Sequence, residues 1–392
     1  MSITKKILFF HEVFPAGGAE RVTLDIADYV SARGYQVYVL TCELRRHHFQ
    51  QLSVIQAPEK YIVKGQLKWE YIISTIEALS IDIFVLPVCP SHDLLAYVKK
   101  CTRCKVIFAL HSVPLWEVVY SLYGKKKHCG SSLVRLALWY LIVYPKTMWI
   151  KKYNHSIINI HKKVYDTVDR YTVLCEGYRG LLLRKMKISS INEEKMRAIH
   201  NAESLPISIN LNKRKQILFV GRINYADKRV DRLIDIWEMI YRKAPDWELI
   251  LVGDGGERKP LEMKMLQMKL ERIRFVGHSD NVSDYYQDAS ILCLTSTFEG
   301  WPLCLTEAQA YGVVPIAFDC TLGVHEILAP SGVNGILIPP FKKKKYARAL
   351  LELINNPEQL QAMKLNVIRK SKEYSPEIVG NKWLKLFNSL YH

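Results

Sequence analysis

The chain has 392 residues, 49% of them hydrophobic and 24% charged, with a formal net charge of +17 at pH 7. That apolar content excludes a disordered chain and suffices for two ordinary domains, each with its own core. The nine cysteines are scattered and odd in number, which excludes a disulfide scaffold and favours reduced thiols in a cytoplasmic protein.

The opening MSITKKILFF has too short an apolar run for a signal peptide. It leads into HEVFPAGGAER without a small-residue cleavage site, so it reads as a buried first strand. A helix is expected near residues 18–33, stopped by Gly34. AGGAER, at 16–21, occupies the turn between them. Gly17 and Gly18 let the backbone approach a ligand, and a helix N-terminus favours an anion. A tight βα turn also wants glycine, and the spacing is not GxGxxG, so a dinucleotide fingerprint is absent. QVYVLTC, IDIFVLPV (81–88), KVIFAL (105–110) and YTVLC (171–175) read as further strands. Cys101 and Cys104 form one CxxC, with no second pair or histidine to complete a zinc site.

Residues 101–200 contain 18 Lys and Arg against 6 Asp and Glu, so this segment carries +12 of the total charge. A concentrated positive field suits an anionic membrane or a nucleic acid. The same region holds LVRLALWYLIVYPKTMWIKKY, residues 133–153. Arg135, Pro145 and Lys146 interrupt it, so it falls short of the about 20 apolar residues of a spanning helix. Basic flanks with Trp139, Tyr140, Tyr144 and Trp149 suit a helix lying in the membrane interface. A core helix with a basic outer face fits the same pattern.

After a polar stretch near 188–214 the βα alternation restarts. Strands are expected at QILFVGR (216–222), WELILVGDG (247–255), IRFVGH (273–278), SILCLTS (290–296), VVPIAF (313–318) and GILIPP. Helices are expected near 229–243, 257–271 and 302–311. The fold class is therefore α/β, with two Rossmann-like doubly wound parallel-sheet domains facing a cleft. The expected division is 1–190 for the first domain, which includes the basic aromatic segment 101–165. The second spans 191–372, and a C-terminal helix over 373–392 packs back toward the first.

Ligands in such sheets bind beyond the carboxyl ends of the strands, and three motifs sit there. GRINYADK places Arg222 and Lys228 after a strong strand. Arginine clasps a phosphate through two hydrogen bonds and lysine adds a compact charge, so the pair could neutralise a diphosphate. Ordinary solvated charges at a helix start would look similar. TFEGWPLCLTEAQAYG places Glu299 in the loop after a strand and Glu307 one turn into the next helix, with Pro302 suited to that helix's first turn. Two acceptor-only carboxylates on either side of a helix N-terminus can hold hydroxyls flanking a phosphate, which is the layout of a nucleotide sugar. In VGDGGER the glycines read as a tight turn, with Asp254 helping to cap the helix.

Together, GGAER, the GR with its following lysine, FVGH at 275–278, EGWPLCLTE as an E-x7-E pattern and NGILIPP near 334–340 resemble a glycosyltransferase of family 4. These motifs lie in family order and cover almost the whole chain. The resemblance implies a GT-B fold and a retaining transferase that acts without a metal or other cofactor. It implies that Arg222 and Lys228 hold the donor diphosphate, that Glu299 meets the donor sugar and that Glu307 holds the ribose. The backbone from Gly300 through Trp301 and Pro302 to Leu303 would line sugar and phosphate, and Gly17 and Gly18 would approach from the N-terminal domain. His111, in FALHSVP, matches the family's histidine beside the reacting sugar. As a bare residue it reads more simply as structural. Glu203, in IHNAES, departs from the family's turn at that point, and no role is assigned to it.

The resulting expectation is transfer of a hexose or N-acetylhexosamine from a nucleoside diphosphate sugar, UDP being favoured over GDP by family habit. The acceptor would be a glycan or a polyprenyl-diphosphate-linked or other lipid-linked molecule in cell-surface polysaccharide synthesis. The protein would sit peripherally on the inner face of the plasma membrane, held by residues 133–153. Two alternatives come from other classes: a sugar-nucleotide epimerase of related fold, and a basic nucleic-acid-binding protein. The latter fits less well, because the aromatic residues cluster in an apolar run and are not interleaved with cations as a stacking groove requires.

Overall fold

The computed structural model describes residues 4–391 apart from 16–17, 46–48, 50–51, 88–89, 117–121, 123–124, 126–127, 131, 150–151 and 190–193. The chain forms two compact units. One comprises Met1–Pro114, Lys152–Ala202 and Pro376–His392, and the other Leu115–Lys151 and Glu203–Ser375. The boundaries expected at 190 and 372 thus fall at Ala202 and Ser375. The chain stays with the first unit past residue 190 because Met196–Ala198 adds an edge strand to its sheet. Residues 115–151, expected in the N-terminal domain, group with the second unit.

In the first unit the strands are β1 (Lys5–Phe14), β2 (Tyr35–Leu44), β3 (Ser53–Gln56), the small antiparallel pair β4 (Ile62–Val63) and β5 (Gln66–Leu67), then β6 (Ile83–Pro87), β7 (Lys105–Ala109), β8 (Arg170–Val173) and β9 (Met196–Ala198). Seven of them form a parallel sheet in the order β3-β2-β1-β6-β7-β8-β9. Central strands read as unbroken apolar runs because both faces of a parallel sheet are covered. In β7, Val106, Ile107, Phe108 and Ala109 are all buried. The short strands β3, β4, β5 and β9 escape sequence reading because they carry little apolar run of their own.

The C-terminal helix Pro376–Asn388 belongs to this unit's core. Val379, Trp383, Leu386 and Phe387 pack with Val22, Ile26 and Val30 of the helix Gly18–Ser31 and with Ile7 and Phe9 of β1. The two helices approach so closely at Gly380 that a Cβ there would lie 2.2 Å from the Tyr29 ring. Only glycine fits that contact.

The second unit holds β10 (Gln216–Val220), β11 (Glu248–Val252), β12 (Ile273–Gly277), β13 (Ile291–Leu294), β14 (Val314–Phe318) and β15 (Ile336–Ile338). They form a parallel sheet in the order β12-β11-β10-β13-β14-β15. The winding runs outward from β10 to β12, then returns to β13 on the other side of β10. The point of reversal lies between β10 and β13, where a doubly wound sheet opens a crevice at its carboxyl edge. The turns at that edge are packed backbone to backbone. A Cβ on Gly253 would lie 2.0 Å from the Gly221 carbonyl oxygen, and φ there is +133°. Asp254 does not cap the helix Arg258–Gln267, whose N-cap is Glu257. It accepts a hydrogen bond from the Gly255 amide at 2.7 Å and pairs with Arg258 at 3.0 Å, stiffening the turn.

Candidate functional site

The reversal point of the second sheet is where Lys228, which follows the GR motif, meets Glu299, the first carboxylate of the E-x7-E motif. Lys228 reaches it from the loop after β10 and Glu299 from the loop after β13. Lys228 Nζ donates to Glu299 Oε1 at 2.7 Å, with side chains 15% and 11% exposed. Ser296 Oγ donates to the same oxygen at 2.6 Å. Burial opposes the lysine's charge, but the adjacent Glu299 carboxylate outweighs it and raises the Lys228 pKa. Lys228 is therefore a fixed cation. The loop that carries it is tied to the neighbouring strand end. The Thr297 amide donates to the Asp227 carbonyl at 2.6 Å, the Thr295 hydroxyl to the Arg229 carbonyl at 3.1 Å, and the Arg232 guanidinium to the Thr295 carbonyl at 3.0 Å.

Arg222 stands apart from this pair. It is 79% exposed and lies 3.7 Å from the Asp227 carboxylate. The structure thus brings Lys228 to Glu299 and leaves Arg222 facing outward at the rim. Gly221, before it, has φ +150°, and a Cβ there would come within 3.4 Å of the Lys228 stem.

Pro302 is the N-cap of the helix Leu303–Ala310 rather than part of its first turn. Gly300 and Leu303 are partly accessible on either side of it. The Trp301 side chain is buried edge-on against Tyr374, ring centres 5.4 Å apart. Its backbone, not its indole, is left to line a ligand. Glu307, on the helix, accepts a hydrogen bond at 2.7 Å from the hydroxyl of Tyr286, which is fully buried in the helix Val282–Asp288.

Glu203 is a residue that sequence reading left without a role. It is 3% exposed. Its amide donates to the Tyr374 carbonyl at 2.7 Å, and its Oε2 lies 3.2 Å from the Thr306 hydroxyl, one residue before Glu307.

In the first unit His111 follows β7. Its Nδ1 is buried. Burial, reinforced by the nearby His11, lowers its pKa to about 4, against smaller opposing effects of Asn201 and Glu20. The ring is neutral at pH 7. His11 itself is buried in β1, its Nε2 2.9 Å from the Thr23 hydroxyl and its Nδ1 3.6 Å from Glu20 of the GGAER motif. Gly18 opens the first helix, and an added Cβ there would meet nothing within 4 Å. Gly17 lies outside the described residues. Among the described residues no three His, Cys, Asp or Glu side chains group as a metal site would need. The eight cysteines among them are free thiols.

The segment expected to meet a membrane is helical from Leu133 to Trp149, with a π-helical turn at Trp139–Val143. Trp139 is buried, its Nε1 donating to the Leu122 carbonyl at 3.1 Å. It therefore anchors the helix and does not serve the exposed face. The exposed face is mainly aliphatic, with one of the expected aromatics on it: Leu133, Val134, Leu138, Tyr140, Leu141 and Ile142 are exposed, Leu133 by 81% and Leu141 by 76%. The side chain of Trp149 lies outside the described residues. Among those described, no helix is long and apolar enough to cross a membrane.

Comparison with known proteins agrees with this fold. The family described as Glycosyltransferase Family 4 matches residues 16–202, and that described as Glycosyl transferases group 1 matches residues 201–370. An uncharacterized glycosyltransferase of Haemophilus influenzae is 27% identical over 389 residues, covering 97% of this chain and 99% of its own. The amylovoran biosynthesis glycosyltransferase AmsD of Erwinia amylovora is 27% identical over 243 residues, covering 61% of this chain and 68% of its own. Among solved structures, Anabaena HepE in complex with UDP and glucose superposes with a TM-score of 0.71 at 18% identity, covering 98% of this chain and all of that one. The chain belongs to the family 4 glycosyltransferases, with two parallel-sheet domains of the GT-B fold.

Proposed function

We propose that the protein is a retaining, metal-independent transferase. It moves a hexose or N-acetylhexosamine from a UDP-sugar to a glycan or lipid-linked acceptor in cell-surface polysaccharide synthesis. The observation that carries this reading is the buried Lys228–Glu299 pair at the reversal point of the second sheet, with Glu307 on the helix that follows. AmsD is named for the synthesis of a polysaccharide and HepE was solved with UDP and glucose, which supports both the pathway class and the nucleotide.

In this reading Lys228 and Arg222 hold the diphosphate, Glu299 the sugar hydroxyls and Glu307 the ribose. Backbone from Gly300 to Leu303, Trp301 and Pro302 included, lines the sugar and phosphate. Gly17, Gly18 and His111 serve from the first unit, His111 as a neutral ring that donates or accepts a hydrogen bond beside the reacting carbon. The bond from the anomeric carbon to the phosphate oxygen breaks and its electron pair leaves with the diphosphate. The acceptor oxygen bonds to the same face, and its proton passes to the departing phosphate. Positioned cations that stabilise the developing charge supply most of the rate. Thermal stability against a panel of nucleotide sugars, without added metal, tests the donor. A ligand of the folded state raises the melting temperature. A shift with one UDP-sugar that disappears in Arg222→Ala is the expected result, and no shift with any nucleotide sugar overturns the reading.

The same reading places the protein peripherally on the cytoplasmic face of an anionic membrane, through residues 133–153. The support is the exposed aliphatic face on the Leu133–Trp149 helix, with Arg135 and Lys146 beside it. Aliphatic side chains insert at the headgroup boundary while cations reach anionic phosphates. Leu133→Glu with Leu141→Glu, both at exposed positions, should abolish sedimentation with phosphatidylglycerol vesicles and leave melting unchanged. Unaltered vesicle binding removes this surface from the proposal.

A further inference from the structure

Glu307 and Glu299 share an arrangement that the motif alone does not contain. Each has one oxygen held by a buried hydroxyl. Ser296 holds Oε1 of Glu299 at 2.6 Å, and Tyr286 holds Oε2 of Glu307 at 2.7 Å. Tyr286 is the more telling of the two. Its ring is fully buried and stacks on Tyr311, centres 5.6 Å apart and 22° from parallel. Tyr311 directly follows the helix that carries Glu307. The phenol is thus fixed at both ends, by the stack and by the carboxylate. Burial first, and then the Glu307 charge, raises the Tyr286 pKa well above the ordinary value, so the hydroxyl stays a donor throughout the working pH range.

We propose that Tyr286 is a positioning residue for recognition of the donor ribose. It clamps Oε2 and so sets the rotation of the Glu307 carboxylate, aiming the rest of its acceptor capacity at the vicinal ribose hydroxyls. This inference rests on the reading of Glu307 as the ribose-holding group. A glutamate has three rotatable side-chain bonds, and a bidentate hydrogen-bond pattern to a diol requires the carboxylate plane to be fixed. A phenol that is buried, stacked and locked in protonation supplies that restraint without competing for the ligand. The identity of the second anchoring group also predicts which ligands feel its loss: those with ribose hydroxyls and no others.

The test compares UDP with 2′,3′-dideoxy-UDP by calorimetry in the full-length protein and in Tyr286→Phe, which keeps the ring and its stack. The wild type should prefer UDP by about tenfold or more, the worth of a hydrogen bond to a charged acceptor. Tyr286→Phe should lose most of that preference while binding the dideoxy nucleotide as the wild type does. In the Glu307→Gln background the phenylalanine substitution should cause no further loss. Equal weakening of both nucleotides in Tyr286→Phe means a merely structural role and overturns the proposal, as does undiminished preference. If Tyr286→Phe does not fold, 3-fluorotyrosine at position 286 keeps the shape and alters only the donor strength. The UDP to dideoxy-UDP ratio must then change, and an unmoved ratio overturns the proposal. A wild type that does not discriminate the two nucleotides overturns the ribose role of Glu307 and this inference with it. Discrimination by the wild type and Tyr286→Phe alike overturns this inference alone.

Discussion

The strand ends of the two units carry opposite solutions to burying polar groups. In the second unit, charge is buried as charge: Lys228 is held against Glu299, whose carboxylate also accepts from Ser296. In the first unit, the half-buried His111, its Nδ1 out of solvent, is a neutral ring with its pKa pushed down to about 4, close to the fully buried histidine His11. Two sheets of the same architecture therefore differ in what their carboxyl edges can do. A fixed cation beside an acceptor-only carboxylate suits an anionic, hydroxyl-rich ligand. A neutral imidazole suits a group that must hydrogen-bond without attracting charge of its own. Fold similarity alone would not separate these roles.

The sharpest way to break this comparison is to remove one partner of the buried pair. Glu299→Leu leaves Lys228 buried without its carboxylate and should cost about 3–5 kcal/mol in urea unfolding. Lys228→Met combined with Glu299→Leu should recover most of that stability while nucleotide-sugar binding stays lost. If Glu299→Leu alone is as stable as the wild type, the pair is not a buried charge pair in solution.

The neutral histidine makes a smaller and pH-dependent prediction. A group whose folded pKa lies below its unfolded value favours the unfolded state once it protonates. Stability is therefore fully present above pH 6.5 and declines as pH falls toward 4. For His111 the loss at pH 5 should be about 2 kcal/mol, and His111→Gln should remove that part of the acid slope. Asp25, on the helix Gly18–Ser31, runs the other way. Burial, offset in part by Arg21, raises its pKa to about 6, so stability present at low pH is lost as pH rises through 6. Asp25→Asn should stabilise the protein by about 1–2 kcal/mol at pH 8 and have little effect at pH 4. Chemical denaturation across pH 4–8 measures both, and parallel slopes in the two variants would remove the distinction between them.

The smallest stability effect belongs to Arg222→Ala. An exposed arginine with a long contact to Asp227 should change unfolding by under about 0.5 kcal/mol, although donor-induced stabilisation should vanish. A large loss of stability would mean that Arg222 is structural and not a ligand group.

The motifs that point to the site are local and therefore legible. The glycines of VGDGGER announce a tight turn, and the eight-residue spacing from Glu299 to Glu307 places one carboxylate in a loop and the other on a helix. The chain's apolar runs mark most of the central strands. The short strand β9 does not show, because it is stabilised by pairing with β8 rather than by its own composition. Trp139 was legible as an interfacial aromatic and is buried instead, because its indole reaches the Leu122 carbonyl, a contact 17 residues away that no helical periodicity encodes.

The sequence by itself determined the alternation of strands and helices, the glycine turns and the concentration of positive charge, since each depends on residues within a turn or two of one another. Tertiary structure decided which charges meet. Lys228 and Glu299 are 71 residues apart and come together because β10 and β13 lie side by side, a consequence of sheet order and not of local preference. Glu203 and Thr306, 103 residues apart, meet for the same kind of reason. Side chains acquire their partners from topology, and a buried charge can exist only where topology has already supplied one.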